Sequence, residues 1–254
     1  MKSVFNKEFK NNEREIKRFI KNFDFDGQVF GNQKRNTIKL FNLNDKQLNV
    51  KSFKVPNLIN QIVYRFFRKS KAHRSFEYAT KLLELGIGTP QPIAYFESTS
   101  FFLFKKSFYV SEHLDCDLTY RELIHDFNYP DHETILRAFT RFTYKLHENG
   151  INFLDHSPGN TLIKKTEQGY IFFLVDLNRM TFGPMSFDER MKNFARLTKY
   201  ENMVKIMSDE YSKISVENYT EVFSAMWEHV LNFRKKHEGK QQLKKNLFFW
   251  RTRN

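Results

Sequence analysis

The chain holds a single cysteine, Cys116, among 254 residues. An intramolecular disulfide and a zinc site built from several cysteines are therefore both excluded, and the usage favours a reducing compartment. Long apolar runs are also missing. No stretch approaches the ~20 consecutive apolar residues of a spanning helix, and Met1 to Lys21 is charged throughout, without the apolar core of a signal peptide. A soluble or surface-bound protein is expected. The histidines never fall in H-E-x-x-H spacing, and neither an RNP-like nor a helix-turn-helix signature is present, so no nucleic acid partner is expected. Internal repeats, low-complexity tracts and heptads are absent as well.

Aromatic residues and positive charge are abundant. Aromatics make up 17% of the chain, led by 29 Phe, within a hydrophobic fraction of 40%. A sizeable core follows, in one large or two small domains. Lys and Arg number 42 against 29 Asp and Glu, a net charge of +13. Such an excess implies an anionic partner: phosphate, acidic lipid or nucleic acid.

The most informative stretch is Ile151–Met180. Asp155 and Asn160 sit in a turn-forming loop. Thr161-Leu162-Ile163 reads as a strand, Glu167-Gln168-Gly169 as a turn, and Ile171–Val175 as a second strand closed by Asp176. An acid thus stands at each end of a hairpin. That arrangement suits phosphoryl transfer from a nucleotide: one carboxylate beside the attacking hydroxyl, an amide and a second carboxylate on the metal that bridges the phosphates.

D-x-x-x-x-N, a hydrophobic strand and a second Asp together resemble the catalytic loop and metal motif of the protein-kinase-like superfamily. Asp155-His156-Ser157-Pro158-Gly159-Asn160 resembles the loops of lipopolysaccharide core kinases and of aminoglycoside- and choline-type kinases. Asn193-Phe194-Ala195-Arg196-Leu197 resembles the N-L-A-R-L segment of the Kdo/heptose lipopolysaccharide kinases. The resemblance runs from about Phe25 to Leu197. Two departures stand out: Phe153 replaces the usual His two residues before the acid, and Asn178 replaces the usual Gly two residues after Asp176. The first removes a polar organiser of the loop and the second a flexible glycine, but both metal ligands remain. An active kinase is therefore expected rather than a pseudokinase.

The resemblance implies a two-lobed α+β fold: a small antiparallel-sheet lobe over residues 1–113 and a helical catalytic lobe over 114–254 with a basic-aromatic tail. It implies ATP and Mg²⁺, with Asp155 acting on the acceptor hydroxyl and Asn160 and Asp176 holding the metal. In Leu48-Asn49-Val50-Lys51, which resembles V-A-I-K, Lys51 is the phosphate lysine, with Lys54 beside Val55-Pro56 as the alternative. Glu77, in a segment like the R-x-F/Y-E pattern of these kinases, is the partner of Lys51, and Glu84 competes for that role. G-x-G-x-x-G is absent, so Gly31 with Lys34 and Arg35 is expected to cover the phosphates, Gly27 being the other glycine at hand. Glu112 and Leu114 fall in the hinge that holds adenine.

Period-two and helical patterns place strands at Phe25–Phe30, Thr37–Leu43, Gln47–Lys54, Ile93–Glu97, Phe101–Phe104 and Ser107–Glu112. Helices are expected over Lys7–Phe23, Leu58–Leu85, Asp117–Ile124, His132–Asn149, Asp188–Tyr200 and Val216–Lys236. The segment after Asp176 is short and lacks A-P-E, so no long peptide-docking segment is evident.

The acceptor implied by the resemblance is a sugar hydroxyl of lipopolysaccharide or lipid A core, with a soluble small-molecule or protein kinase and a non-catalytic partner-binding module as rival readings. Tyr64–Arg74 and Lys240–Asn254 mix cations with aromatics, as expected of a peripheral protein at the anionic inner face of a bacterial inner membrane.

Overall fold

Alternation of apolar and polar residues fixes the strand Lys46–Phe53, β4. Leu48 and Val50 are fully buried, and Asn49 and Lys51 face the other way. The computed structural model describes residues 1–32 and 36–249, with side chains as far as Leu243. β4 lies inside a six-stranded sheet with β1 (Lys2–Phe5), β2 (Gln28–Phe30), β3 (Thr37–Leu43), β5 (Pro92–Thr99) and β6 (Phe104–Glu112). The order is β1-β5-β6-β4-β3-β2, with antiparallel neighbours throughout. A 3₁₀ turn, Lys7–Asn12, leads into α1 (Glu13–Lys21), which lays Ile16, Phe19 and Ile20 on the sheet. Phe19 stacks on Phe41 with centroids 4.9 Å apart.

Several elements differ from expectation. β1 pairs Ser3 with Phe96 of β5; four residues with so little alternation carry no strand signal. β2 starts at Gln28, after a turn. Gly27 has φ +88°, and a Cβ there would enter the Phe41 ring at 2.5 Å, so this glycine serves packing. Phe101 and Phe102 form the bend between β5 and β6, with both rings exposed, and not the expected strand.

The Leu58–Leu85 pattern divides into α2 (Leu58–Phe66) and α3 (Lys71–Glu84). Ser70 starts α3 by accepting the His73 amide on Oγ at 3.0 Å. Gly86, at φ +66°, ends it: the Gly86 amide donates to Leu83 O and the Ile87 amide to Leu82 O. Those two bonds, over buried Leu82 and Ile87, make a Schellman cap.

The chain forms two compact units. The one just described comprises Met1–Cys116 with Phe173–Arg179, and the other Asp117–Phe172 with Met180–Asn254. In the second, Leu118–Thr119 pairs with Thr161–Thr166 as β7 and β9, where a helix from Asp117 was expected. Thr119 then caps α4 (Tyr120–His125) in a reciprocal box with Glu122. α5 (His132–Glu148), β8 (Ile151–Phe153), β10 (Gly169–Leu174), β11 (Met180–Phe182) and α6 (Phe187–Asn193) follow. α6 stops at Asn193, short of the expected Tyr200. α7 (Glu201–Ile214) adds to the expected helices, and α8 (Tyr219–Phe249) outruns its expected end at Lys236. Tyr120, Phe139, Met207, Tyr211, Val222 and Met226 form the centre of this core.

Candidate active site

The loop after β8 is held from both sides. β8 pairs with β11, Phe153 opposite Met180. The chain enters β8 through Gly150, at φ +64°. A Cβ there would lie 2.5 Å from Gly183 O, so only glycine allows this approach. Phe153 is fully buried and fixes the start of the loop by packing. Asp155 follows, with its carboxylate Oδ1 2.7 Å from Nη1 of Arg196, which also donates to Leu154 O at 3.1 Å. Asn160 Nδ2 donates to Asp155 O at 2.8 Å. That bond spends the amide's donor end and leaves Oδ1 as the end suited to a cation. Arg121 of α4 lies over Gly159, where a Cβ would come within 2.4 Å of its guanidinium.

Below the loop sits a polar cluster that spacing alone does not reveal. Asn193, at the end of α6, donates Nδ2 to Phe153 O and to Asn152 Oδ1, both at 3.0 Å. Its Oδ1 faces His156 Nδ1 at 2.8 Å and His147 Nε2 at 3.4 Å. Since Oδ1 only accepts, both imidazoles present N–H groups to it. His147 Nδ1 is then the acceptor for Tyr211 Oη at 3.1 Å. His156 Nε2 is buried with no hydrogen-bond partner among the described residues. Burial pushes the His156 pKa down to about 4 and that of His147 down to about 3. Both rings are neutral at ordinary pH. The polar organiser missing at Phe153 is thus supplied from one residue after the acid, through His156 and Asn193.

In the other unit, Lys51 Nζ meets Asp176 Oδ1 at 2.6 Å. Asp176 sits at φ +59°, and Asn178 Nδ2 donates to the same oxygen at 2.7 Å. So Asn178, in place of a glycine, steadies the carboxylate. The segment is anchored by Leu174, whose amide donates to Gly88 O and whose carbonyl accepts from Thr89 Oγ1. Lys54 lies beyond β4, exposed; Lys51 is the lysine that meets the acid. The expected Lys51–Glu77 pair is not formed. Glu77 projects from α3 to Lys69 and lies 3.9 Å from His73 Nε2. The physical reason is local: Lys69 and His73 flank Glu77 on its own surface.

Asp176 in the first unit presents a carboxylate and Asn160 in the second an amide oxygen, each a hard oxygen donor of the kind Mg²⁺ takes. Among the described residues no three His, Cys, Asp or Glu side chains form a ready cage. Gly31 has φ +69° and open space where a Cβ would stand, and Lys34 and Arg35 lie outside the described residues. At the hinge, the Glu112 amide donates to Gln91 O and the His113 amide to Gln47 O. These two amides of the segment expected to hold adenine are therefore engaged within the sheet lobe, and Leu114 follows them. The Glu112 carboxylate itself pairs with Lys46.

Beside Leu154 and Arg196 opens a cleft of about 350 Å³, also lined by Lys192, His229, Phe233 and Lys236. The Arg196 guanidinium lies 5.7 Å from the Phe233 ring centre.

A family model for the lipopolysaccharide kinase (Kdo/WaaP) family matches residues 27–225. The chain belongs to this family. A search of curated proteins returned no significant match. Among solved structures, one described as WaaP in complex with acyl carrier protein superposes with a TM-score of 0.64. It covers 94% of this chain and 99% of that one at 16% identity, a likeness of fold. This lipopolysaccharide kinase has the two-lobed, protein-kinase-like α+β architecture. Within it, the N-F-A-R-L segment gains a physical role: Asn193 holds the loop backbone and Arg196 holds the acid. Among the described residues no helix is long and apolar enough to cross a membrane.

Proposed function

We propose that this kinase transfers the γ-phosphoryl group of Mg-ATP to a sugar hydroxyl, on Kdo or heptose, of the lipopolysaccharide inner core. The observation that carries this reading is the loop itself: Asp155 is oriented by Arg196, and Asn160 is oriented by the loop backbone. Asp155 takes up the hydroxyl proton as the new P–O bond forms and the bond from the γ-phosphorus to the β,γ-bridging oxygen breaks, with ADP as the leaving group. Lys51 neutralises phosphate charge, and Asp176 and Asn160 would hold the metal, which screens the phosphates when bound. The rate then comes from positioning and charge stabilisation, as in phosphoryl transfer generally. The cationic cleft at Lys192, Arg196 and Lys236 suits an acceptor carrying its own carboxylate or phosphate near the reacting hydroxyl. The acceptor is lipid-borne, so the enzyme works at the anionic inner face of the inner membrane.

The test is ATP consumption with purified deep-core lipopolysaccharide, free Kdo, free heptose and a generic protein acceptor, with products weighed by mass spectrometry. A single phosphate added to the core oligosaccharide is the expected result. Transfer to the protein acceptor alone would replace this reading with that of a protein kinase.

A further inference from the structure

We propose that α2 and the Phe101–Phe102 bend form a wedge that inserts into an anionic phospholipid surface. The proposal deepens the lipid-borne-acceptor reading by naming the surface that reaches the lipid.

α2 is amphipathic the wrong way round for a soluble protein. At 3.6 residues per turn, Leu58, Ile59, Ile62 and Phe66 share an arc of about 100°. A surface helix normally turns such a stripe to the core. Here the four side chains are 45–75% exposed. The inward place goes to Gln61, 8% exposed, whose Nε2 donates to Pro56 O and whose Oε1 is buried without a partner among the described residues. Phe67, just past the helix, is 82% exposed. A fold that buries a glutamine and shows four large apolar residues has a second phase to meet.

The stripe is continued by the β5–β6 bend, where Phe101 and Phe102 are 79% and 64% exposed. The bend is tied to α2: Arg65 Nε donates to Ser100 O at 3.3 Å, and Tyr64 packs on Phe104 with centroids 5.8 Å apart. These bonds also correct the composition-based surface. Tyr64 is partly covered, and Arg74, expected among the lipid-facing cations, is buried with its Nε on Ser70 O.

Charge selects the partner. No Asp or Glu occurs from Lys54 to Phe76 or from Ser98 to Ser111, whereas Arg65, Arg68 and Lys105 are exposed there, joined by Lys69 and Lys106, which are exposed and paired with Glu77 and Asp24. Cations around projecting aromatics suit the interface of an anionic leaflet. The apolar side chains project instead of lining a groove. A fluid bilayer yields around projecting groups, whereas a protein partner needs matching pockets.

The experiment uses the full chain. Ile59→Ser, Phe67→Ser and Phe101→Ser are combined; all three sites are exposed, and a thermal melt checks the fold. Co-sedimentation is measured with vesicles of equal phosphatidylglycerol and phosphatidylethanolamine, and with phosphatidylcholine vesicles. The triple variant is expected to lose about tenfold or more of its binding to the anionic vesicles, with phosphorylation of a water-soluble core fragment unchanged. In a separate Phe67→Trp protein, brominated acyl chains should quench the new fluorescence. Unchanged vesicle binding by the triple variant, or no quenching, overturns the proposal. So does loss of binding to a purified acyl carrier protein with vesicle binding intact, which would make the patch a protein-docking face. If the wild-type chain bound vesicles through this patch yet phosphorylated no sugar, the wedge would stand and the kinase reading would fall.

Discussion

The roles proposed for Asp155 and Lys51 are distinct, and replacing each should separate them. Asp155→Asn keeps the size of the side chain and removes the carboxylate proposed as the base. Turnover should fall by about 10²–10⁴-fold while a fluorescent ATP analogue binds as before; wild-type turnover on a verified acceptor would take the catalytic role from this loop. Lys51→Met should lose phosphate positioning and about 10²–10³-fold of the rate, and Lys54→Met, beyond the strand, should be mild. Equal rates for Lys51→Met and wild type would deny the role to Lys51. The hairpin that Asp155, Asn160 and Asp176 bracket was legible from their spacing, and β9 and β10 form it. Arg196 was named only inside a resembled segment, since nothing in its spacing tells that it would reach 2.7 Å from Asp155. The placing of Glu77 beside Lys69 was not legible, because a helix position does not say which neighbour a long carboxylate will choose.

Between β8 and α6 the loop rests on two neutral imidazoles, and this gives the element a pH dependence. Unfolded, each histidine titrates near 6.5; folded, they are held down to about 4 and about 3. Below pH 6.5 the unfolded chain takes protons that the folded chain refuses. Stability is therefore intact above that point and is lost as pH falls toward 4, by about 1.4 kcal/mol per pH unit for each histidine. Urea midpoints at pH 7 and pH 5 measure the slope, and His147→Gln should flatten it; a midpoint independent of pH in the wild type would show that these rings stay solvated. Asn193→Ala removes the acceptor of both rings and the donor to Phe153 O. It should cost roughly 1–3 kcal/mol and lower turnover more than ATP affinity. At this scale β3, β4, α3 and α5 were legible, because each carries a clean period and a stop signal such as Gly86 or Gly150. β1 and β7 were not: they are two to four residues long, and only a partner strand makes them strands.

The whole chain carries +13, and its binding to anionic vesicles should be released as salt shortens the screening length to ~10 Å near 0.1 M. Co-sedimentation across a salt series checks this; binding indifferent to salt would mean that the apolar wedge acts alone. The two-lobed class was legible from motif order, whereas the division expected after His113 falls after Cys116, and its first unit also takes Phe173–Arg179. Linear reading cannot anticipate such a return, because it is made by distant partners: Leu174 bonds to Gly88 and Thr89, and Asp176 meets Lys51. The return also bears on how the protein is made. A ribosome releases Lys51 long before its partner Asp176, with the 56 residues of Asp117–Phe172 still to be read. At ~5–20 residues per second the first unit waits roughly 3–11 s, incomplete, for its last segment. During that interval its apolar stripe and its unpaired lysine are on offer to whatever lies nearby, so the nascent chain could meet a membrane before it is able to bind a nucleotide.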